Sequence, residues 1–380
     1  MKIAIISTYP PQKCGIATFA KDLYTAMQMA SDENIHIIAV SDGREENYPI
    51  EVSYIIDKHD YQSYQAAADF INNQYDICVI QHEYGIFGGE SGAHILGLCR
   101  RLHIPLVSNF HTISPKPSDR ERTILFQLGL MSHSITVMTD WAVNILQCVY
   151  KLSPEKIRVI PHGVPTFDYQ QEKAKRKLGL SGKKVLLSFG LLGRGKGFET
   201  AIDAVKAVDD DDFVYIILGM THPNVLKEEG EAYRYELIER CRQAQVENKM
   251  LFINEFADDD LLCSYLSACD MYVTPYPNEN QISSGTLSFA LGAGAAVIST
   301  PYIYARDLLA AERGLFFDFG NSAQLGAIIN ELLQNPNLLA TYRENARRHG
   351  ESMCWSNVGK RYYNLLGEMV LQHKPLFKRA

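Results

Sequence analysis

Two successive trains of short apolar runs alternate with helical stretches, and this alternation limits the fold more than any other feature of the chain. In the first train, residues 2–7, 35–40, 52–56, 77–80, 105–110, 134–138 and 156–160 read as strands, with helices such as 16–29, 61–73 and 91–102 between them. In the second, strands at 184–189, 213–218, 250–256, 271–274, 296–299 and 314–316 alternate with helices at 224–245, 258–268, 305–309 and 322–333. Such alternation predicts an α/β fold with doubly wound parallel sheets. Between the trains, Pro161, His162, Gly163 and Pro165 lead into a polar stretch without periodicity, which reads as a hinge near residue 166. The expected division is 1–166, 167–355 and a terminal segment 356–380. Helical stretches 337–349 and 356–370 add no strand and are expected to pack back across the first domain.

At 380 residues, and roughly 150 residues per domain, two domains are expected. A net charge of −7 argues against broad, sequence-independent nucleic-acid binding, which depends on Lys and Arg neutralising phosphates, and leaves room for a local basic pocket. The eight cysteines are scattered, without CxxC or Cys/His ligand spacing, as expected of free thiols in a reducing compartment. No apolar run approaches the roughly 20 residues of a membrane span, so the expected location is cytoplasmic. The acidic runs 209–212 and 258–260 sit where Asp solvates a turn or caps a helix, so no metal site is expected.

In a doubly wound sheet, ligands sit outside the carboxyl ends of the strands, and several such ends carry unusual residues. The first strand opens into TYPPQKCG, whose Gly15 starts a helix. The fourth ends in QHEYGIFGGESG, which places His82, Glu83 and Tyr84 in one loop, and the fifth runs directly into His111. Both histidines are expected to face the crevice, where imidazole serves as a neutral donor or acceptor. His162 follows the last strand of this train. In the second train, strand 184–189 opens into GLLGRGKGFE, where Gly193 and Gly195 surround Arg194 and Lys196. Glycines permit close backbone approach and the two cations supply charge-assisted bonds, which together suit a diphosphate. In QISSGTLSFALGAG, the small residues Ser283, Ser284, Gly285 and Thr286 precede a helical run. A helix N-terminus there presents unpaired N–H groups to an anion.

The segments STYPPQKCGIATF, QHEYGIFGG, NFHT, VIPHGV, the GRGKGFE loop, SYLSACDMYVTPY and SGTLSFALGAGAAVISTPY resemble, in this order, the retaining GT-B glycosyltransferases of family 4. The resemblance runs over essentially the whole chain. It implies two Rossmann-like domains facing a central cleft, with a C-terminal helix returning to the N-terminal domain. It also implies transfer of a hexose, mannose being favoured, from a nucleotide diphosphate sugar to an acceptor hydroxyl with retained α configuration. GDP-mannose, UDP-hexose and ADP-hexose all suit the donor role. The acceptor is a glycan, a small molecule or a lipid-linked species, and neither metal nor cofactor is implied. The donor is expected in the second domain and the acceptor in the first. Lys196 matches the family's diphosphate lysine, and His111 the histidine that contacts the transferred sugar. Gly15 matches the glycine near the phosphates, and Ser284, Gly285 and Thr286 the loop facing phosphate and sugar. His82, Glu83, Tyr84 and His162 fall on the acceptor side. Lys116, Arg120 and Arg122 flank the apolar run 124–131, which reads first as a plain core-facing helix and second as a weak contact with a membrane surface or lipid-linked acceptor.

Two positions depart from the family pattern. The diphosphate arginine expected five residues before the lysine is Leu191, which leaves Arg194 as its substitute. The paired glutamates of the E-x7-E motif align with Gln281 and Phe289, and Glu279 stands two residues before the first. Sugar contact therefore falls to Gln281 or Glu279. The missing acids motivate a second expectation, a catalytically silent protein that binds nucleotide sugar or acts as a scaffold.

Overall fold

In the computed structural model, residues 1–31, 34–43 and 47–373 are described. The chain divides into two compact units, one of residues 1–163 with 355–380 and one of residues 164–354. In the first, strands β1 (Lys2–Ser7), β2 (Asn34–Ser41), β3 (Val52–Asp57), β4 (Ile77–His82), β5 (Leu106–Phe110), β6 (Ser134–Val137) and β7 (Ile157–Val159) form one sheet. Its order is β3-β2-β1-β4-β5-β6-β7, and every pairing is parallel. The apolar character of β1, β4 and β5 follows from burial on both faces, the condition of a parallel sheet covered by helices. The order reverses between β1 and β4, so their carboxyl ends, residues 8–15 and the loop after His82, flank the crevice where such sheets take ligands.

The second unit repeats the plan with six parallel strands, β8 (Lys184–Phe189), β9 (Phe213–Leu218), β10 (Met250–Ile253), β11 (Met271–Thr274), β12 (Ala296–Ser299) and β13 (Gly314–Phe316). They are ordered β10-β9-β8-β11-β12-β13. Tyr215 and Ile217 of β9, Met271 and Val273 of β11 and Ala296 and Ile298 of β12 turn one face of the sheet into a core shared with Ile202, Leu237 and Ile329. This two-residue spacing is the pleat expressed as packing. The order reverses between β8 and β11, which brings the GRGKG loop and the loop leading to Ser284 to the same switch point.

The expected single helix over 224–245 is two, Pro223–Glu229 and Ala232–Ala244, because Gly230 adopts a left-handed φ of 62° between them. Only one of the two terminal helices expected on the first domain packs there. Pro336–Ser352 stays with the second unit, where Arg343 donates from Nε to the Gly294 carbonyl at 3.2 Å and from Nη1 to Gln171 Oε1 at 2.6 Å. The last helix, Trp355–His373, packs along Gly15–Ala30 in the first unit, with Arg361 donating to the Val159 carbonyl at 2.7 Å. Residues 374–380 of the expected terminal segment lie outside the described residues.

At the amino end of the second sheet, Asp270 accepts from Lys175 Nζ at 2.8 Å and from the Val185 N–H at 2.7 Å through Oδ2, and from Gln171 Nε2 at 3.0 Å through Oδ1. The Lys175 and Asp270 side chains are only 5% and 7% exposed. Removing one partner of such a pair leaves an uncompensated buried charge. Lys175→Met is therefore expected to lower stability by about 3–5 kcal/mol, read as a lower urea midpoint, with turnover per folded molecule unchanged.

Candidate functional site

In the second unit, the loop after β8 folds as Gly193 followed by a 3-10 turn, Arg194–Lys196, and then Gly197. Gly197 has φ +69°, and a Cβ there would lie 2.1 Å from the Pro275 carbonyl oxygen, so no other residue fits. That close approach sets Lys196 beside the segment after β11. Lys196 Nζ stands 4.5 Å from the centroid of the Tyr276 ring and donates to the Tyr276 hydroxyl at 3.4 Å. Tyr276 Oη is 2.9 Å from Thr286 Oγ1, which is 3.1 Å from Ser284 Oγ. Ser284 caps the helix Gly285–Gly292 by accepting from the Leu287 N–H. A cation, three hydroxyls and a helix N-terminus thus converge at the switch point of this sheet. Positive charge, hydroxyl donors and orphan N–H groups are the chemistry that holds phosphate oxygens. Tyr276 completes this relay, and sequence reasoning missed it: a tyrosine just past a strand has no distinguishing spacing. Gly193 and Gly195 leave the loop open, since a Cβ on Gly195 would meet nothing within 4 Å and one on Gly193 only Val225 at 3.8 Å.

Other expected donor-side residues are placed differently. The Arg194 guanidinium is committed to carboxylates: Nη1 donates to Glu236 at 2.7 Å, and Nη2 to Glu236 and Glu229 at 2.8 Å each. Those two acids hold it charged and neutralise it locally, unlike a cation awaiting diphosphate. Glu279 pairs with Arg306 at 3.3 Å on the surface. Gln281 donates from Nε2 to the Ser283 carbonyl at 3.0 Å, so its amide braces its own loop. Phe289, at the second motif position, is 8% exposed and packs near Phe189.

In the first unit, Gly15 opens the helix Gly15–Ala30, capped by Cys14, whose Sγ accepts from the Ala17 N–H at 3.4 Å. Nothing lies within 4 Å of a Cβ built on Gly15. The strand ends of β4 and β5 are joined by the His111 N–H donating to the His82 carbonyl at 3.0 Å. His111 Nε2 lies 2.9 Å from Gln81 Oε1, which also accepts from Asn109 at 2.7 Å. The His111 ring packs edge-on against Phe19, which also meets His162 and Trp355 at centroid distances of 5.1 and 5.2 Å. Trp355 fits there because Gly163 has no side chain: a Cβ would lie 2.1 Å from its ring. His162 Nδ1 is 2.7 Å from the Gly163 carbonyl, so this nitrogen carries the proton.

Both strand-end histidines were expected at the crevice, and His82 is instead fully enclosed. Its ring stacks on Phe87 and meets Tyr84 and Phe110 edge-on, and neither nitrogen has a hydrogen-bond partner among the described residues. Burial lowers its pKa to about 3. Burial also lowers His111 to about 3, with His162 and His82 adding to the effect, and lowers His162 to about 4. All three imidazoles are neutral at pH 7. Glu83 accepts from the Thr112 hydroxyl, and burial pushes its carboxyl up. The Tyr84 hydroxyl donates to the Glu121 carbonyl at 3.3 Å.

Among the described residues, no helix is long and apolar enough to cross a membrane. Residues 170–349 match the family model described as glycosyl transferases group 1, and residues 14–166 match that of glycosyltransferase family 4. No curated protein matches the chain in sequence. Among solved structures, HepE of Anabaena, crystallised with UDP and glucose, is 16% identical with a TM-score of 0.76, over 97% of this chain and 100% of that one. Sucrose-phosphate synthase from Thermosynechococcus elongatus is 16% identical with a TM-score of 0.81, over 98% and 100%. A glycosyltransferase from Rickettsia africae is 15% identical with a TM-score of 0.74, over 98% and 99%. At these identities the likeness is one of fold. Since the two family models between them span residues 14–166 and 170–349, most of the chain, and each unit has the parallel sheet of this fold, the chain is a group 1 glycosyltransferase of the GT-B class.

Proposed function

We propose that this enzyme transfers a hexosyl group, mannose being our first candidate, from a nucleoside diphosphate sugar to an acceptor hydroxyl, with retention and an α linkage. The donor diphosphate is held by the second unit. The observation that carries this reading is the linkage of Lys196 through Tyr276 to Thr286 and Ser284 at one sheet switch point. In the reaction the anomeric C–O bond breaks and its electron pair leaves with the diphosphate. The acceptor oxygen bonds the anomeric carbon from the same face, and its proton passes to the departing phosphate. Stabilising that developing charge is the main catalytic requirement, and fixed donors in a preorganised site meet it without metal or cofactor. The strand-end rim of the first unit, with Glu83, Tyr84, His111 and His162, serves the acceptor and the sugar, and Gly15 leaves room beside them. The free thiols of all eight cysteines support a cytoplasmic enzyme.

HepE binds UDP, which makes UDP-hexoses the first donors to test, beside GDP-mannose and ADP-glucose. In a thermal-shift series with UDP, GDP, ADP and their hexose derivatives, one nucleotide is expected to raise the melting temperature. A ligand at 100 times its Kd adds about 2.7 kcal/mol to the folded state. The matching sugar nucleotide is then expected to be hydrolysed or transferred. No shift with any of the series would sink the donor assignment. A shift without turnover would favour the silent binding protein suggested by Gln281 and Phe289.

A further inference from the structure

We infer that His222 of the second unit is a ligand of the donor diphosphate and takes over from the arginine whose place is held by Leu191. This rests on the reading that the second unit binds a nucleoside diphosphate sugar.

The segment bearing His222 is stitched to the cationic glycine loop. The Leu192 N–H donates to the Met220 carbonyl and the His222 N–H to the Leu192 carbonyl, both at 2.9 Å, around a parallel bridge between Leu192 and Thr221. The turn is also fixed from behind. The Thr221 hydroxyl donates to Glu231, which accepts from Arg234 Nε at 3.1 Å, while Arg234 Nη2 donates to the Gly219 carbonyl at 2.8 Å and to Asn254 at 2.6 Å. His222 is therefore held on the loop that carries Lys196, by backbone bonds rather than by its own side chain.

The ring has a defined proton. The Asn224 N–H donates to His222 Nδ1 at 3.1 Å, so that nitrogen is the acceptor and Nε2 carries the N–H. A neutral imidazole in this tautomer offers a phosphoryl oxygen one directed donor. Burial first, and then the charge of Lys196, lower its pKa, in keeping with a neutral ring near that cation. Lys196 supplies charge and His222 direction, a division of labour that one bidentate arginine would otherwise perform. Arg194, the other candidate, is occupied by Glu229 and Glu236.

His222 also caps the short helix Pro223–Glu229, and the test must separate that role from ligand binding. His222→Asn keeps a side-chain acceptor, and Asn is among the favoured capping residues, but it removes the Nε2 donor. By titration calorimetry with UDP, GDP and ADP, the variant is expected to bind the preferred diphosphate about ten-fold more weakly. Affinity for the matching uncharged nucleoside and the melting temperature of the free protein are expected to be unchanged. Diphosphate binding equal to that of the native chain overturns the inference and leaves His222 a cap. If the native chain binds none of the three diphosphates, the donor reading itself fails, and this inference with it.

Discussion

Lys196→Ala is expected to lower turnover about 10²–10³-fold while leaving the fold intact, because it removes one preorganised donor from the charge that develops on the leaving diphosphate. The side chain is half-buried and its partners are the Tyr276 ring and hydroxyl, so truncation opens no core cavity and strands no buried ion. Melting temperature should therefore hardly move. The loss belongs mainly in kcat, since the charge on the bridging oxygen exists only as the bond breaks. Steady-state kinetics with the preferred sugar nucleotide test this directly. Turnover within a few-fold of the native enzyme would mean that Lys196 does not face the leaving group.

A second large effect is expected from pH. His82, His111 and His162 are buried in the first unit, and burial lowers their pKa values to about 3, about 3 and about 4. In the unfolded chain each titrates near 6.5. Between these values the unfolded state binds more protons than the folded one, so stability falls as pH drops below about 6.5, and levels off only below about 3–4. At pH 5, one and a half units into that window, each histidine costs about 2 kcal/mol. Together they approach the whole stability of a typical domain, roughly 5–15 kcal/mol. Urea unfolding followed by near-ultraviolet circular dichroism is expected to show a much lower midpoint at pH 5 than at pH 7. His82→Phe, which fills a fully enclosed aromatic site with a ring that cannot titrate, should recover about 2 kcal/mol of that difference. Equal midpoints at the two pH values would refute this account.

The two units use burial differently. In the first unit, desolvation keeps the enclosed His82 and the strand-end His111 and His162 uncharged, and pushes Glu83 toward its neutral form. In the second, a single ammonium group is left half-exposed beside hydroxyls, ready to meet charge rather than to cancel it. Arg194 shows the contrast within one loop: two residues from Lys196, it is already neutralised by Glu229 and Glu236.

By itself the sequence determined the parallel α/β architecture, because strand burial on both faces and the helical period between strands are written into runs such as Lys2–Ser7 and Lys184–Phe189. It also determined that Lys196 and Ser284 lie in loops at strand and helix ends, since Gly193 and Gly195 interrupt the first segment after its strand and small residues precede the helical run in the second. Only the tertiary structure decided which groups meet. Tyr276 links Lys196 to Thr286 across 80 and 10 residues of chain, and Glu229 and Glu236 claim Arg194 from a helix pair broken at Gly230. His82 is enclosed and Pro336–Ser352 stays with the second unit for the same reason. Local pattern fixes where a side chain stands on its own element, whereas charge pairing and burial depend on what the fold brings against it from distant sequence.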